Sequence, residues 1–243
     1  MGLGGSATND CGVGMLRALG YRFYDDAGVE LSDTISILER TESISTAMRH
    51  PLLMGVKFTA AVDVDNPLYG AKGAAHIFAP QKGASPEMVE RLDRALRHYA
   101  DVVDRDGAYV AGVGAAGGMG YALHTMLGAR MRPGIEIVLA LLDFERRAEG
   151  ASLVVTGEGS IDAQTLHGKA PAGVLAAAKR LGIPVVALGG RVECESELLA
   201  GGFHAVRTIT PHDQPTDVAM QRATAIANME RTARALAHEI ISQ

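Results

Sequence analysis

The chain has no tryptophan, only two cysteines, and just 5% aromatic residues. Two cysteines allow at most one disulfide, so a disulfide framework is excluded and a reducing, intracellular setting is the simpler expectation. No apolar run reaches the roughly 18 residues that a bilayer-spanning helix needs. A basic segment followed by an apolar one is missing from the N-terminus, so no secretory signal is expected and the expected location is cytoplasmic, away from membranes. Long basic runs are missing too. With a net charge of −5, the electrostatic footprint of a nucleic-acid binder is not indicated. The eight histidines are scattered without metal-ligand spacing, so no zinc site is expected.

What is present is ample apolar material, 47% of 243 residues, enough for one large domain or two smaller ones. Alanine takes the place of aromatics, which favours close helix packing. Glycine is abundant, at 29 residues, and implies many tight backbone turns.

The chain opens on "MGLGGSATND", a glycine-rich loop with no strand expected ahead of it, and then a helix over about residues 7–19 closed by Gly20. Two short strands around an Asp-Asp-Ala-Gly turn follow. A strand is expected over 56–62. A helix runs from about 85 to 104, with Ser85 as cap and Pro86 at its first position. Its apolar stripe is Met88, Leu92, Ala95, Leu96, Tyr99 and Val103. A second glycine loop, "GVGAAGGMG", feeds another helix, and "RPGIEIVLALLDFERRAEG" reads as one mostly apolar helix.

From Ala151 strands and helices alternate, and the strands are short and apolar, the sign of a parallel sheet covered on both faces. The expected class is therefore α/β in two domains. Residues 1–132 form a mixed α/β domain with glycine loops, and 133–243 form a flavodoxin- or Rossmann-like domain. Only three convincing parallel strands fall in the second, so its sheet reads as incomplete. A closing helix is expected over about 216–241.

Three stretches carry chemistry. In "GLGGSATND", three glycines precede Ser6, Thr8, Asn9 and Asp10 at a helix N-terminus, where free N–H groups and the helix dipole favour an anion. A plain turn capped by Ser6 or Thr8 is the other reading. In "AVDVDNPL", Asp63, Asp65 and Asn66 at a strand end can hold Mg²⁺ or orient a hydroxyl, or form an Asx-turn ahead of Pro67. Richest is "VVTGEGSIDAQTLHGKAP", an apolar strand delivering Gly157, Glu158, Gly159, Ser160 and Asp162, with Thr165, His167 and Lys169 close behind. Carboxylates, hydroxyls and an ammonium in one loop suit phosphoryl transfer, which needs metal-holding oxygens, positive charge and a group to orient the attacking hydroxyl. Lys82, on the loop "FAPQKGAS", is either a solvated side chain or a charge for the same site. Cys11 reads as a buried structural thiol.

These stretches, with "DVDNPLYGAKGA", "GAAGGMG" and "RPGIEIV", occur in order from end to end, and the sequence resembles the bacterial class I glycerate kinases of the glycerate 2-kinase type. That resemblance implies two α/β domains with the active site in the cleft between them. It also implies ATP and Mg²⁺ as cofactors and phosphorylation of D-glycerate to 2-phosphoglycerate. Carried over by motif, Gly4, Gly5, Ser6, Thr8, Asn9, Asp10 and Asn66 would bind substrate or phosphate, as would Gly157, Gly159, Ser160, Thr165 and His167. Asp63 and Glu158 would serve the metal. Asp162 would act as base or hydroxyl orienter, and Lys82 and Lys169 would balance anionic charge.

The chain departs from the family pattern at Cys11, Ala61, Asp65 and Ala79, and above all at Ser160, where an Arg is usual. Serine cannot replace a planar anion clamp. The family also has an N-terminal segment ahead of "GGSATND", holding the first strands of the flavodoxin-like sheet, which is expected to be lacking here. Two further readings follow: a non-catalytic remnant that binds an anion or nucleotide and assembles with a partner, or a kinase for another small hydroxy acid. An incomplete sheet leaves an unpaired edge and apolar faces, so a homo-oligomer is expected.

Overall fold

The computed structural model describes residues 1–166, 168 and 170–241. They form a mixed α/β fold gathered into two compact units, Met1–Gly134 and Ile135–Gln243.

The first unit contains α1 (Val13–Ala18), β1 (Arg22–Tyr24), α2 (Thr34–Arg40), β2 (Ser43–Ser45), β3 (Thr59–Ala61), α3 (Ala74–Phe78), α4 (Pro86–Val103), α5 (Ala115–Tyr121) and β4 (Arg130–Arg132). β1 pairs antiparallel with β2, and β3 pairs parallel with β4. The main core is built around α4, which buries Val89, Leu92, Ala95, Leu96, Tyr99 and Ala100. Ser85 Oγ accepts from the Met88 N–H and Pro86 opens the helix, so its start is set by local chemistry. The stripe is turned slightly from the expected one: Met88 is exposed, and Val89 and Ala100 are buried in its place. α2 packs against α4 through Ile37 and Leu38, with a two-pronged ion pair from Arg91 to Glu39 at 2.5 and 2.9 Å.

Two expectations change here. The glycine loop does have a strand-like start, because Gly2 bridges Ala61 in parallel. The Ala61 N–H donates to the Met1 carbonyl at 2.7 Å, and the Leu3 N–H donates to Ala61 at 3.0 Å. The first helix begins at Val13, well after residue 7. The reason is Asp10, whose carboxylate accepts from the N–H groups of Gly12 (3.0 Å) and Gly14 (3.4 Å) and so holds the chain in a turn ahead of the helix.

The second glycine loop owes its composition to close packing. Ala116, Gly117 and Gly118 are successive left-handed residues inside α5, with φ of 54, 68 and 88°. A Cβ on Gly117 would lie 2.0 Å from the Thr8 carbonyl oxygen. Glycine is needed at that position for both backbone shape and space.

The second unit contains α6 (Gly134–Leu141, its first residue shared with the first unit), α7 (Phe144–Ala148), β5 (Val154–Ile161), α8 (Ala170–Arg180), β6 (Val185–Val192), α9 (Glu195–Ala200), β7 (Ala205–Thr208), α10 (Thr216–Ala219) and α11 (Arg222–Ile241). The expected single helix after Pro133 is two, broken where Asp143 takes a left-handed φ of 52°. The closing helix is likewise interrupted after α10.

The three strands form a parallel sheet in the order β5-β6-β7. Val185 and Ala187 face a core with Leu175, Ala178 and Leu198, while Val186 and Leu188 face Ala205 and Leu236. Alternate residues of a strand point to opposite faces, so helices cover both.

Candidate functional site

In the first unit the glycine loop, the turn after α3 and the start of α4 surround a pocket of about 440 Å³. Lys82 is its cation. The ammonium donates to Ser6 Oγ at 2.8 Å and to the Thr8 carbonyl at 2.6 Å, joining two motif stretches 76 and 74 residues apart. Burial pulls the Lys82 pKa below its ordinary value, while Asp10 nearby pushes it up. An ammonium has three donors, so one is left for a ligand.

Asp10 and Asn9 line the same pocket. Besides its two backbone donors, Asp10 accepts from the Thr8 hydroxyl at 3.2 Å. The N-terminus of α1 thus carries its own carboxylate, which weakens the case for a phosphate seated there. Asn9 Oδ1 is buried and has no hydrogen-bond partner among the described residues. Gly4 and Gly5 are exposed, and nothing lies within 4 Å of where their Cβ atoms would be, so this backbone is open to approach. Cys11 is fully buried, and burial raises its pKa well above that of a free thiol, with Asp10 adding to the shift; it is a core side chain.

Asp63 and Asn66, beyond β3, are held in local structure. Asp63 Oδ1 accepts from the Gly134 N–H at 2.8 Å, at the start of α6. Asn66 Nδ2 donates to the Lys72 carbonyl at 2.8 Å, and the Asn66 carbonyl accepts from Gly114.

The richest loop belongs to the second unit. A Cβ on Gly157 would meet the Leu188 carbonyl at 2.4 Å, so this glycine serves strand packing, whereas Gly159 has open space. Thr165 is fully buried. Its hydroxyl donates to Glu158 and accepts from the Asp162 N–H at 3.1 Å, and its own N–H donates to the Asp162 carbonyl at 3.0 Å. One threonine therefore fixes both carboxylate-bearing segments. Exposed Ser160 pairs in register with Arg191, so a guanidinium stands on the neighbouring strand at this sheet end, 3.7 Å from Glu193. His167 and Lys169 lie outside the described residues.

Sequence reading missed the pocket's other wall, Thr34 and Ile35 of α2 with Ala79, Ala84 and Leu92. A signal for α2 was available in Asp33, which accepts from the Ser36 N–H as a helix cap ahead of Ile37 and Leu38. That α2 would reach the glycine loop is not a local property.

Comparison with known proteins decides the family. The model of the glycerate kinase family matches residues 1–241. The chain belongs to the glycerate kinase family. A glycerate kinase of Bacillus subtilis (strain 168) is 43% identical over 99% of this chain and 64% of its own length. One from Bacillus cereus (strain ATCC 10987 / NRS 248) is 45% identical over 98% and 63%. The glycerate 2-kinase of Escherichia coli (strain K12) is 45% identical over 78% of this chain and 51% of its own length. A crystal structure from Salmonella typhimurium LT2, described as glycerate kinase 2, superposes with a TM-score of 0.77 at 43% identity, covering 99% of this chain and 63% of that one. The chain thus spans just under two thirds of the length of the Bacillus relatives.

Proposed function

We propose that the chain carries out, or forms part of a protein that carries out, ATP-dependent phosphorylation of D-glycerate to 2-phosphoglycerate in the cytoplasm. The observation that carries this reading is the Lys82 ammonium held by Ser6 and Thr8 inside a pocket, in a chain of the glycerate kinase family. A fixed cation supplies charge stabilisation without reorganising during reaction. In the proposed step the glycerate 2-hydroxyl gives its proton to the Asp162 carboxylate, its oxygen bonds the γ-phosphorus of ATP, and ADP leaves. Thr165 would set the position of Asp162 and Glu158. Lys169 would add positive charge.

Among the described residues no three His, Cys, Asp or Glu side chains come together to hold a metal. Mg²⁺ is commonly held by phosphates and one or two carboxylates. Glu158 or Asp63 would supply such a carboxylate, and the ion would offset phosphate charge. Among the described residues no helix is long and apolar enough to cross a membrane. We include self-association in the proposal, because among the described residues β5 pairs only with β6 and leaves its outer edge unpaired.

The test is ATP consumption with D-glycerate and Mg²⁺, repeated with Asp162→Asn and with a panel of small 2-hydroxy acids. Turnover that Asp162→Asn abolishes supports the reading. A chain without turnover that D-glycerate or ATP still stabilises thermally would instead be the binding remnant, which the names of its relatives do not favour.

A further inference from the structure

The first-unit pocket has two unlike walls. One is polar, with Thr8, Asn9, Asp10 and Lys82, and the other is apolar, with Ile35, Ala79, Met88 and Leu92. We propose that a nucleoside polyphosphate, rather than the hydroxy acid, occupies this pocket, its base against the apolar wall, its sugar hydroxyls towards Asn9 and Asp10, and its phosphates at Lys82. The inference rests on the kinase reading only for the identity of the second substrate.

Size and polarity point this way. A three-carbon acid would fill a fraction of about 440 Å³ and has no apolar face to set against Ile35 and Met88. Pockets of 300–1,000 Å³ with mostly apolar lining and a few polar groups suit larger, partly apolar ligands. A purine base supplies such a face.

The polar wall adds a second constraint. Asn9 Oδ1 is a buried acceptor without a donor among the described residues, and Asp10 beside it is an acceptor as well. A buried unpaired acceptor is costly until a ligand N–H or O–H reaches it. Carboxylate and phosphate oxygens cannot donate, so the ligand needs donors on this side. Sugar hydroxyls or an exocyclic amine provide them, as the hydroxyls of a small hydroxy acid also would, so the choice between the two ligands rests on size and on the apolar wall. Among the described residues Lys82 is the one cation lining the pocket, and Ser6 and Thr8 aim it. That suits a ligand whose anionic charge is concentrated at one end.

The test is direct binding, by calorimetry, of ADP, adenosine, inorganic tripolyphosphate and D-glycerate to the 243-residue chain. The variants are Lys82→Ala and the neutral double change Ile35→Thr with Met88→Gln. Met88 is partly exposed, and thermal melts identify any variant that does not fold. For the double variant the expected result is at least tenfold weaker binding of ADP and adenosine, with tripolyphosphate and D-glycerate unchanged. For Lys82→Ala it is a tenfold or greater loss of ADP and tripolyphosphate with adenosine retained.

Weaker D-glycerate binding with unchanged ADP binding would overturn the assignment. So would the absence of ADP binding to the unaltered chain. The two proposals fail separately. If D-glycerate is phosphorylated but the double variant keeps its ADP affinity, only the pocket assignment falls. Where ADP binding responds as expected without turnover on D-glycerate, the kinase reading falls and the nucleotide pocket stands.

Discussion

Gly117 sits so close to Thr8 that a single added carbon would lie 2.0 Å from the Thr8 carbonyl oxygen. The contact ties the second glycine loop to the loop that holds Lys82, since that same carbonyl accepts from the ammonium. Gly117→Ala is expected to cost at least about 2 kcal/mol through clash and left-handed strain, a fall of several degrees in melting temperature. Gly159→Ala, with nothing within 4 Å and no left-handed φ, is expected to be within about 0.5 kcal/mol of neutral. Equal melting temperatures for the two variants would contradict the packing argument.

Lys82 gives a pH signature. Its pKa lies below the ordinary 10.5 because burial disfavours the charged form. The folded chain therefore holds this proton less tightly than the unfolded chain, and its burial cost fades as pH rises from the lowered pKa towards 10.5. Anion binding runs the opposite way. ADP affinity should fall on an alkaline limb below the usual lysine range, and Lys82→Arg should remove that limb, because a guanidinium stays charged. Calorimetric titrations across alkaline pH check both.

Thr165→Val keeps shape but deletes the hydroxyl shared by Glu158 and Asp162. Leaving the half-buried Asp162 N–H without that acceptor is expected to cost about 1 kcal/mol. If the loop carries the base, kcat should fall with little change in KM for either substrate. A variant that loses stability alone would leave Thr165 as a purely structural residue.

Asp63 separates capping from chemistry. Asp63→Asn retains an oxygen for the Gly134 N–H, so the melting temperature should hold, whereas Asp63→Ala should lose about 1 kcal/mol. A metal-binding role predicts that Asp63→Asn loses turnover while keeping its stability, and full activity in that variant would exclude the role.

The outer edge of β5 and half-exposed Val155 on that strand are the expected contact with a second copy. Sedimentation should show an assembly larger than a monomer, and Val155→Lys should shift it towards monomer. A single monomeric species in the unaltered chain would contradict this.

Elements whose signals are local were legible in the sequence. Ser85 and Pro86 announce α4, and three apolar runs announce β5, β6 and β7. Other elements were not. Tyr24 bridges Glu30 as the expected turn requires, yet β1's ladder partner is the distant β2. Asp143 breaks a helix whose apolar pattern runs on unbroken.

Sequence by itself determined the family, the alternating α/β pattern and the residue types offered for phosphoryl transfer, because motifs and periodicity are written along the chain. Tertiary structure decided what those residues touch. It put the Asp10 carboxylate on its own helix and the Lys82 ammonium on Ser6 and Thr8, and it added an apolar wall from α2 and α4. Hydrogen bonds and close packing act over a few ångströms of space. Partners 76 residues apart in the chain meet only when it folds.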